Sequence, residues 1–333
     1  MARRDIIVVG ASAGGIEALI ALVGKLPADL PAAVLVCVHL SPTHKSVLPR
    51  ILSGSGPLPA THAQEGETLV PGRIYVAPPD RHMLVDGPLL RVTTGPMESG
   101  HRPAIDPLFR TAARSYGNRV IGVVLSGALD DGTAGLGAIK QRGGICIVQD
   151  PNEAIVGDMP RNALQKTDVD HCLPIEEMAV LLVTLVHEDV PAGPVVPVPA
   201  LLEHESRIAL AGLDEGGPPA GLPSAFGCPS CGGVLWELQD GDLLRFRCRV
   251  GHAFGTEALH AEQQAALEGA LWAALRALEE QASLTRRMGT RARELGHSMS
   301  AGRYDMRAQS SEHQARLVRE ALTRGIAAEP TDA

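Results

Sequence analysis

Through the first 187 residues, short runs of consecutive apolar residues alternate with stretches whose apolar positions recur at three- and four-residue spacing. Unbroken runs of this length, bounded by glycine and proline, predict strands buried on both faces; the spaced pattern predicts amphipathic helices. Strands are expected near 5–10, 33–39, 119–125 and 144–149, and helices near 14–25, 44–52, 105–116, 132–142 and 176–187. Such alternation predicts an α/β fold, a doubly wound, mainly parallel sheet with crossover helices. Residues 73–94 read differently. Arg73–Ala77, Met83–Val85 and Leu89–Val92 are short and broken by Pro78-Pro79-Asp80 and Asp86-Gly87-Pro88, a pattern that predicts an antiparallel hairpin insertion.

The pattern changes after Glu188. Val190-Pro191-Ala192-Gly193-Pro194 and Gly216-Gly217-Pro218-Pro219-Ala220-Gly221 read as linker, with a short helix expected around Leu201–Leu210 between them. Beyond residue 256 the chain reads as a helical tail, with Leu267, Leu271, Leu275, Leu278 and Ala282 on one stripe. Gly289 and Gly296-His297-Ser298 weaken or break that helix, and a second is expected over Met306–Leu322. The expected division is therefore 1–187, a linker at 188–225, a small cysteine-containing module at 226–255, and a helical extension at 256–333.

A chain of 333 residues with 45% apolar and only 3% aromatic residues must build its cores from Val, Leu, Ile and Ala. A net charge of −8 argues against a nucleic-acid partner. No apolar run is long enough to span a bilayer, and the N-terminus has no signal-peptide pattern, so a cytoplasmic protein that is not membrane-integral is expected. In that compartment six cysteines predict thiols or metal ligands rather than disulfides.

Three chemically capable residues fall just past predicted strand ends, the edge where open α/β sheets build sites. Gly10-Ala11-Ser12-Ala13-Gly14-Gly15 puts a hydroxyl in a glycine-rich turn before a helix, His39 ends the second run, and Ser126-Gly127-Ala128-Leu129-Asp130-Asp131-Gly132 follows the third. Acyl transfer needs a nucleophile, a base, a group that orients the base, and oxyanion donors. Ser12 supplies the first, His39 the second and Asp130 or Asp131 the third; backbone amides at Ala13 or in the 126–129 turn supply the fourth. A dinucleotide site would want glycine at position 12 and an acid near the end of the second strand, where His39 stands instead.

The order Ser, His, Asp and several separated words resemble CheB, the protein-glutamate methylesterase of bacterial chemotaxis. The words are Val9–Gly15, Val38-His39-Leu40, Gly72–Pro78, Arg102–Phe109, Gly122–Gly127, Asp131–Gly135 and Asp158–Arg161, and the resemblance covers about residues 5–187. It implies Ser12 as nucleophile, His39 as base and Asp131, immediately before glycine, as the acid; Asp130 stands where asparagine is common. It further implies an oxyanion-hole amide at Ala128, where methionine is common, and Leu129 replaces a common glycine. The implied reaction is hydrolysis of glutamate γ-methyl esters on chemoreceptor-like proteins, with glutamine deamidation by the same chemistry and no catalytic cofactor. Many CheB proteins begin with a phosphoreceiver domain. This chain starts at the first esterase strand, so control that is absent, supplied in trans or moved to the C-terminal extension is expected, as is an autonomous catalytic unit ending near 190. The alternative is a signalling scaffold that keeps the fold without the chemistry.

Cys228-Pro229-Ser230-Cys231 and, seventeen positions on, Cys248-Arg249-Val250-Gly251-His252 supply three thiolates and one imidazole, the ligand set of a closed, structural zinc site. Between them, Val234–Leu238 and Leu243–Arg247 flank Asp240-Gly241-Asp242, a hairpin signal, so a small zinc ribbon is expected. Cys37, Cys146 and Cys172 lie in or beside apolar segments and are expected in the core.

Overall fold

The computed structural model describes residues 3–190, 196–211 and 220–324. The Pro/Gly-rich stretches at 191–195 and 212–219, expected as linker, lie outside the described residues. The chain divides into two bodies, Met1–Leu259 and His260–Ala333.

The first body opens with β1 (Ile6–Ala11), α1 (Gly15–Val23), β2 (Ala33–Val38), α2 (Leu48–Ser55), β3 (Ala60–His62) and β4 (Arg73–Val76). A hairpin of β5 (His82–Asp86) and β6 (Leu89–Thr93) follows, then α3 (Ile105–Tyr116), β7 (Val120–Val124), α4 (Thr133–Gln141) and β8 (Ile145–Gln149). The fold closes with α5 (Asp158–Lys166), β9 (His171–Leu173) and α6 (Ile175–His187). Seven strands form one sheet in the order β3-β4-β2-β1-β7-β8-β9, parallel throughout. Strand alternation divides the apolar residues between two layers. Ile7, Val9 and Ala11 pack with Leu19, Leu22, Leu52 and Leu182 on one face. Ile6 and Val8 pack with Phe109, Leu136, Ile139 and Met159 on the other. This is the doubly wound α/β arrangement, with helices on both faces.

The antiparallel insertion is smaller than expected. Only 82–93 forms a hairpin, turning at Gly87 with φ +57. Arg73–Val76 instead lies parallel beside β2, with Ala33 opposite Arg73. Proline and glycine mark a crossover and a hairpin alike, so punctuation alone did not separate them. Cys37 and Cys146 are buried as expected, but Cys172 is exposed, because its side chain faces outward from the edge strand β9.

The same body continues with α7 (Ala200–Ala211) and a four-stranded antiparallel sheet. Its strands are β10 (Leu222–Gly227), β11 (Val234–Asp240), β12 (Leu243–Cys248) and β13 (Ala253–Gly255). The β11–β12 turn is at Gly241, with φ +62, as the Asp-Gly-Asp signal requires. This ribbon has a core of only six residues: Cys228, Leu235, Phe246, Cys248, Phe254 and Leu259. It therefore belongs to the same compact body as the large sheet.

The helix α8 (Thr256–Glu294) runs through Gly289 and ends before Gly296, whose φ is +77; α9 (Ser298–Thr323) follows. Within the second body, Ala282, Ala292, Ala301, Ala308 and Ala315 are buried with Leu275, while Arg286–Glu312 and Arg293–Asp305 pair across. Of the expected stripe, Leu275 and Ala282 are buried, Leu271 and Leu278 are half-buried and Leu267 is 49% exposed, and alanines make up most of the rest of the seam. Among the described residues, no helix is long and apolar enough to cross a membrane.

Candidate active site and zinc-ligand cluster

Ser12 lies one residue beyond β1, and two neighbouring strand ends fix its turn. Its amide donates to the Ser126 carbonyl (2.9 Å), and Ser126 Oγ donates back to the Ala13 carbonyl (2.7 Å). Gly14 sits at φ +70, where a Cβ would come within 2.8 Å of Ser126 Oγ. A Cβ on Gly127 would collide with the Met159 side chain and with Ser12 Cβ. Both glycines are required by close approach around the hydroxyl.

His39 follows β2, next to β1 in the sheet, so its ring reaches Ser12: Nδ1 lies 3.0 Å from Ser12 Oγ. Its Nε2 lies 2.8 Å from Asp131 Oδ2. An ionised carboxylate only accepts, which assigns the imidazole proton to Nε2 and leaves Nδ1 to accept from the serine hydroxyl. Both side chains are enclosed, with 6% exposure for His39 and 2% for Asp131.

Asp131 is anchored at the start of α3. It accepts the amides of Ile105 (2.7 Å), Asp106 (3.0 Å) and Gly132 (2.9 Å) as well as His39. Burial alone would raise its pKa, but His39 and the Ile105 and Asp106 amides hold it below the usual carboxylate value. Asp106 shows the converse: burial and the nearby Asp131 charge push it up to about 7. Of the two adjacent aspartates, Asp131 is the one that meets His39. Asp130 turns away from His39 and accepts the amides of Glu257 (3.2 Å) and Ala258 (3.3 Å) in the first turn of α8.

Ala13 is exposed in the turn after Ser12, and Ala128 is half-buried in the turn after β7. Among the described residues, neither amide is taken by another protein group. Leu129 adopts φ +64, a conformation that favours glycine, and its carbonyl accepts from Asn162 Nδ2 at 2.8 Å.

One residue at the site escaped the sequence reading. The His101 ring stacks on His39, with centroids 3.6 Å apart and planes 15° from parallel. Its only sequence signal was its place immediately before the Arg102-Pro103-Ala104 word. A buried charge cluster also went unread. Glu98 pairs with Arg110 (2.7 Å) and Arg247 (2.9 Å), while Glu205 pairs with Arg247 (2.7 Å) and Arg245 (3.2 Å). These partners are far apart in sequence, so no spacing announces them.

Cys228, Cys231, Cys248 and His252 bring their ligand atoms within 4.8 Å of one another. The separations Cys231 Sγ–Cys248 Sγ (3.7 Å), Cys228 Sγ–His252 Nδ1 (3.7 Å) and Cys248 Sγ–His252 Nδ1 (3.6 Å) test the fit. Zinc–sulfur bonds of ~2.3 Å in a tetrahedron give edges of ~3.8 Å. The donor set and spacing therefore suit a structural zinc ion. Each half of the cluster is a tight knuckle: Gly232 N donates to the Cys228 carbonyl (2.8 Å) and Gly251 N to the Cys248 carbonyl (2.9 Å).

The CheB methylesterase family matches residues 7–182, more than half of the chain, and the chain belongs to that family. A protein-glutamate methylesterase/protein-glutamine glutaminase of Methanosarcina mazei is 37% identical over 191 residues, covering 55% of this chain and 52% of the relative. One of Pyrococcus horikoshii is 35% identical over 179 residues, covering 53% and 49%. The chain thus spans about half the length of these curated relatives. The crystal structure of the Thermotoga maritima CheB methylesterase catalytic domain superposes with a TM-score of 0.54 at 29% identity. That alignment covers 56% of this chain and 100% of the Thermotoga chain.

Proposed function

We propose that this chain is a protein-glutamate methylesterase that hydrolyses glutamate γ-methyl esters on chemoreceptor-like signalling proteins. The carrying observation is the unbroken line Ser12 Oγ–His39 Nδ1 (3.0 Å), His39 Nε2–Asp131 Oδ2 (2.8 Å), which is the arrangement acyl transfer needs. The family membership supplies the ester class.

In this reading Ser12 Oγ attacks the ester carbonyl carbon and its proton passes to His39 Nδ1. Asp131 stabilises the imidazolium without taking the proton. The Ala13 and Ala128 amides receive the oxyanion. Collapse expels the methoxy group, which takes the proton from His39 and leaves as methanol. Water then attacks the acyl-serine, giving its proton to His39, and glutamate and free Ser12 are released. A glutamine side chain follows the same path with ammonia as the leaving group. Zinc has no step in this chemistry; its four protein ligands leave no open position.

The test is methanol release from methylated receptors by the full chain and by Ser12→Ala. Turnover that survives unchanged in the variant would assign the nucleophile elsewhere, and none in either protein would favour the scaffold alternative.

A further inference from the structure

The His101 ring lies on His39, and what holds His101 there comes largely from the ribbon. Residues 98–101 form a closed turn: Glu98 N donates to the His101 carbonyl (3.2 Å), His101 N to the Glu98 carbonyl (2.9 Å), and Ser99 sits at φ +51. Two ribbon residues pin this turn. Ser99 N donates to the carbonyl of Ala253 (2.7 Å), the residue after His252. The Glu98 carboxylate is gripped by Arg247, the residue before Cys248, and by Arg110 of α3. Arg247 Nη1 in turn donates to the Gly251 carbonyl (2.6 Å), inside the Cys248–His252 knuckle. Every link from the knuckle to the turn is a direct hydrogen bond, and the last step is a ring stack.

We infer that His101 is a positioning residue for His39 and that the Cys248–His252 knuckle, when closed on zinc, holds His101 in place. The inference rests on the serine-nucleophile reading above. A ring flat against one face of His39 resists rotation of the imidazole and keeps water from that face. Rotation would break both the Ser12 and the Asp131 hydrogen bonds, since they lie on opposite ring nitrogens. Burial, then the neighbouring His39, push the His101 pKa down to about 4, so the stacked ring is neutral at pH 7 and adds no repulsion against an imidazolium. Opening the knuckle would free the Gly251 and Ala253 carbonyls together, and with them both ribbon contacts of the turn.

The experiment uses the full chain, with zinc content measured directly, and follows covalent labelling of Ser12 by a fluorophosphonate and amide exchange at 98–101. Chelation of zinc should raise exchange at Ser99 and His101 while β1 and β7 stay protected. It should also slow Ser12 labelling on the order of 10- to 100-fold, the range for a misplaced catalytic group. Zinc-loaded His101→Ala should label as slowly as zinc-free wild type, should keep its metal, and should lose little more on chelation; His101→Phe, which keeps a ring, should recover most of the rate. That non-additivity marks coupling rather than two separate injuries. Unchanged labelling after chelation, or an equal further loss in His101→Ala, overturns the inference. If zinc-loaded wild type does not label at Ser12, the serine reading fails. Exchange at 98–101 then decides this proposal by itself: protection that persists without zinc overturns it.

Discussion

The two sheets of the first body are stabilised in different ways. The seven-stranded sheet is sandwiched between two broad apolar layers, and its site residues stand at the strand ends, outside those layers. The four-stranded ribbon has six core residues, two of which, Cys228 and Cys248, also belong to the cluster that could hold the ion. In the large sheet chemistry and stability reside in different side chains. In the small one the residues that would bind the ion are part of what holds the fold.

The largest test of this contrast is metal loss. Cys228→Ser should release zinc and unfold the ribbon, a loss on the order of 10 kcal/mol of local folding free energy in comparable small modules. Metal analysis and amide exchange would check it, and stoichiometric zinc in the variant would exclude the site. Next in size, Ser12→Ala, His39→Ala and Asp131→Asn should each cut turnover on the order of 10⁴- to 10⁶-fold. The melting temperature of Ser12→Ala should stay close to wild type, because Ser12 belongs to no apolar layer, whereas Asp131→Asn should lower it, since an amide cannot accept all three backbone N–H groups that anchor the carboxylate.

Arg247→Met probes the join between the sheets. It removes one of the two guanidinium partners of each of Glu98 and Glu205, which keep Arg110 and Arg245 but stay buried, so a loss at the low end of the ~3–5 kcal/mol for a broken buried pair is expected from denaturant unfolding. The same join should weaken in acid. Burial opposes ionisation of Glu205, but Arg247 and Arg245 overcome it and bring its pKa down from 4.5 to about 2. A depressed acid stabilises the folded state above its unfolded pKa, so this contribution should be complete above about 4.5 and lost as pH falls towards about 2. Stability that did not decline across that window would remove Glu205 from the account.

The smallest effects concern neighbouring residues of one turn. Leu129→Gly should stabilise the chain by about 1 kcal/mol, since the leucine occupies a left-handed conformation. Asp130→Asn should leave turnover on a small ester within a few-fold, because its carboxylate caps α8 and does not touch His39, and asparagine also caps. Activity lost in Asp130→Asn and kept in Asp131→Asn would reverse the assignment of the two acids.

Much of this architecture was legible in order. Unbroken runs such as Ile6–Val9 and Val120–Val124 announce strands because both faces are covered, and His39 and Asp131 announce themselves by standing at the ends of such runs. Three-residue strands such as Ala60–His62 and His171–Leu173 are too short to carry a period, and α5 begins with Asp158-Met159-Pro160, which reads as a turn. The ligand cluster was readable because three cysteines and a histidine sit at fixed local spacing. The Glu98–Arg110–Arg247–Glu205 cluster was not, since each partner looks like an ordinary surface charge until the fold buries it. An autonomous catalytic unit ending near 190 was expected because linker composition is local, whereas the contacts that cross the linker are not.

Asp130 and Asp131 give that last point a bearing on how such a chain can change. One dipeptide sends its first carboxylate to the amides of Glu257 and Ala258 and its second to His39. Half of each interaction across the linker is therefore encoded before residue 188 and half after residue 225. A recombination joining this segment to another family's extension would bring together halves that do not fit, leaving Glu98 with Arg110 but not Arg247, and Asp130 without the α8 amides. The two segments are expected to be inherited as a matched pair, and a successful graft would need Glu98, Asp130, Arg247 and the start of α8 exchanged together.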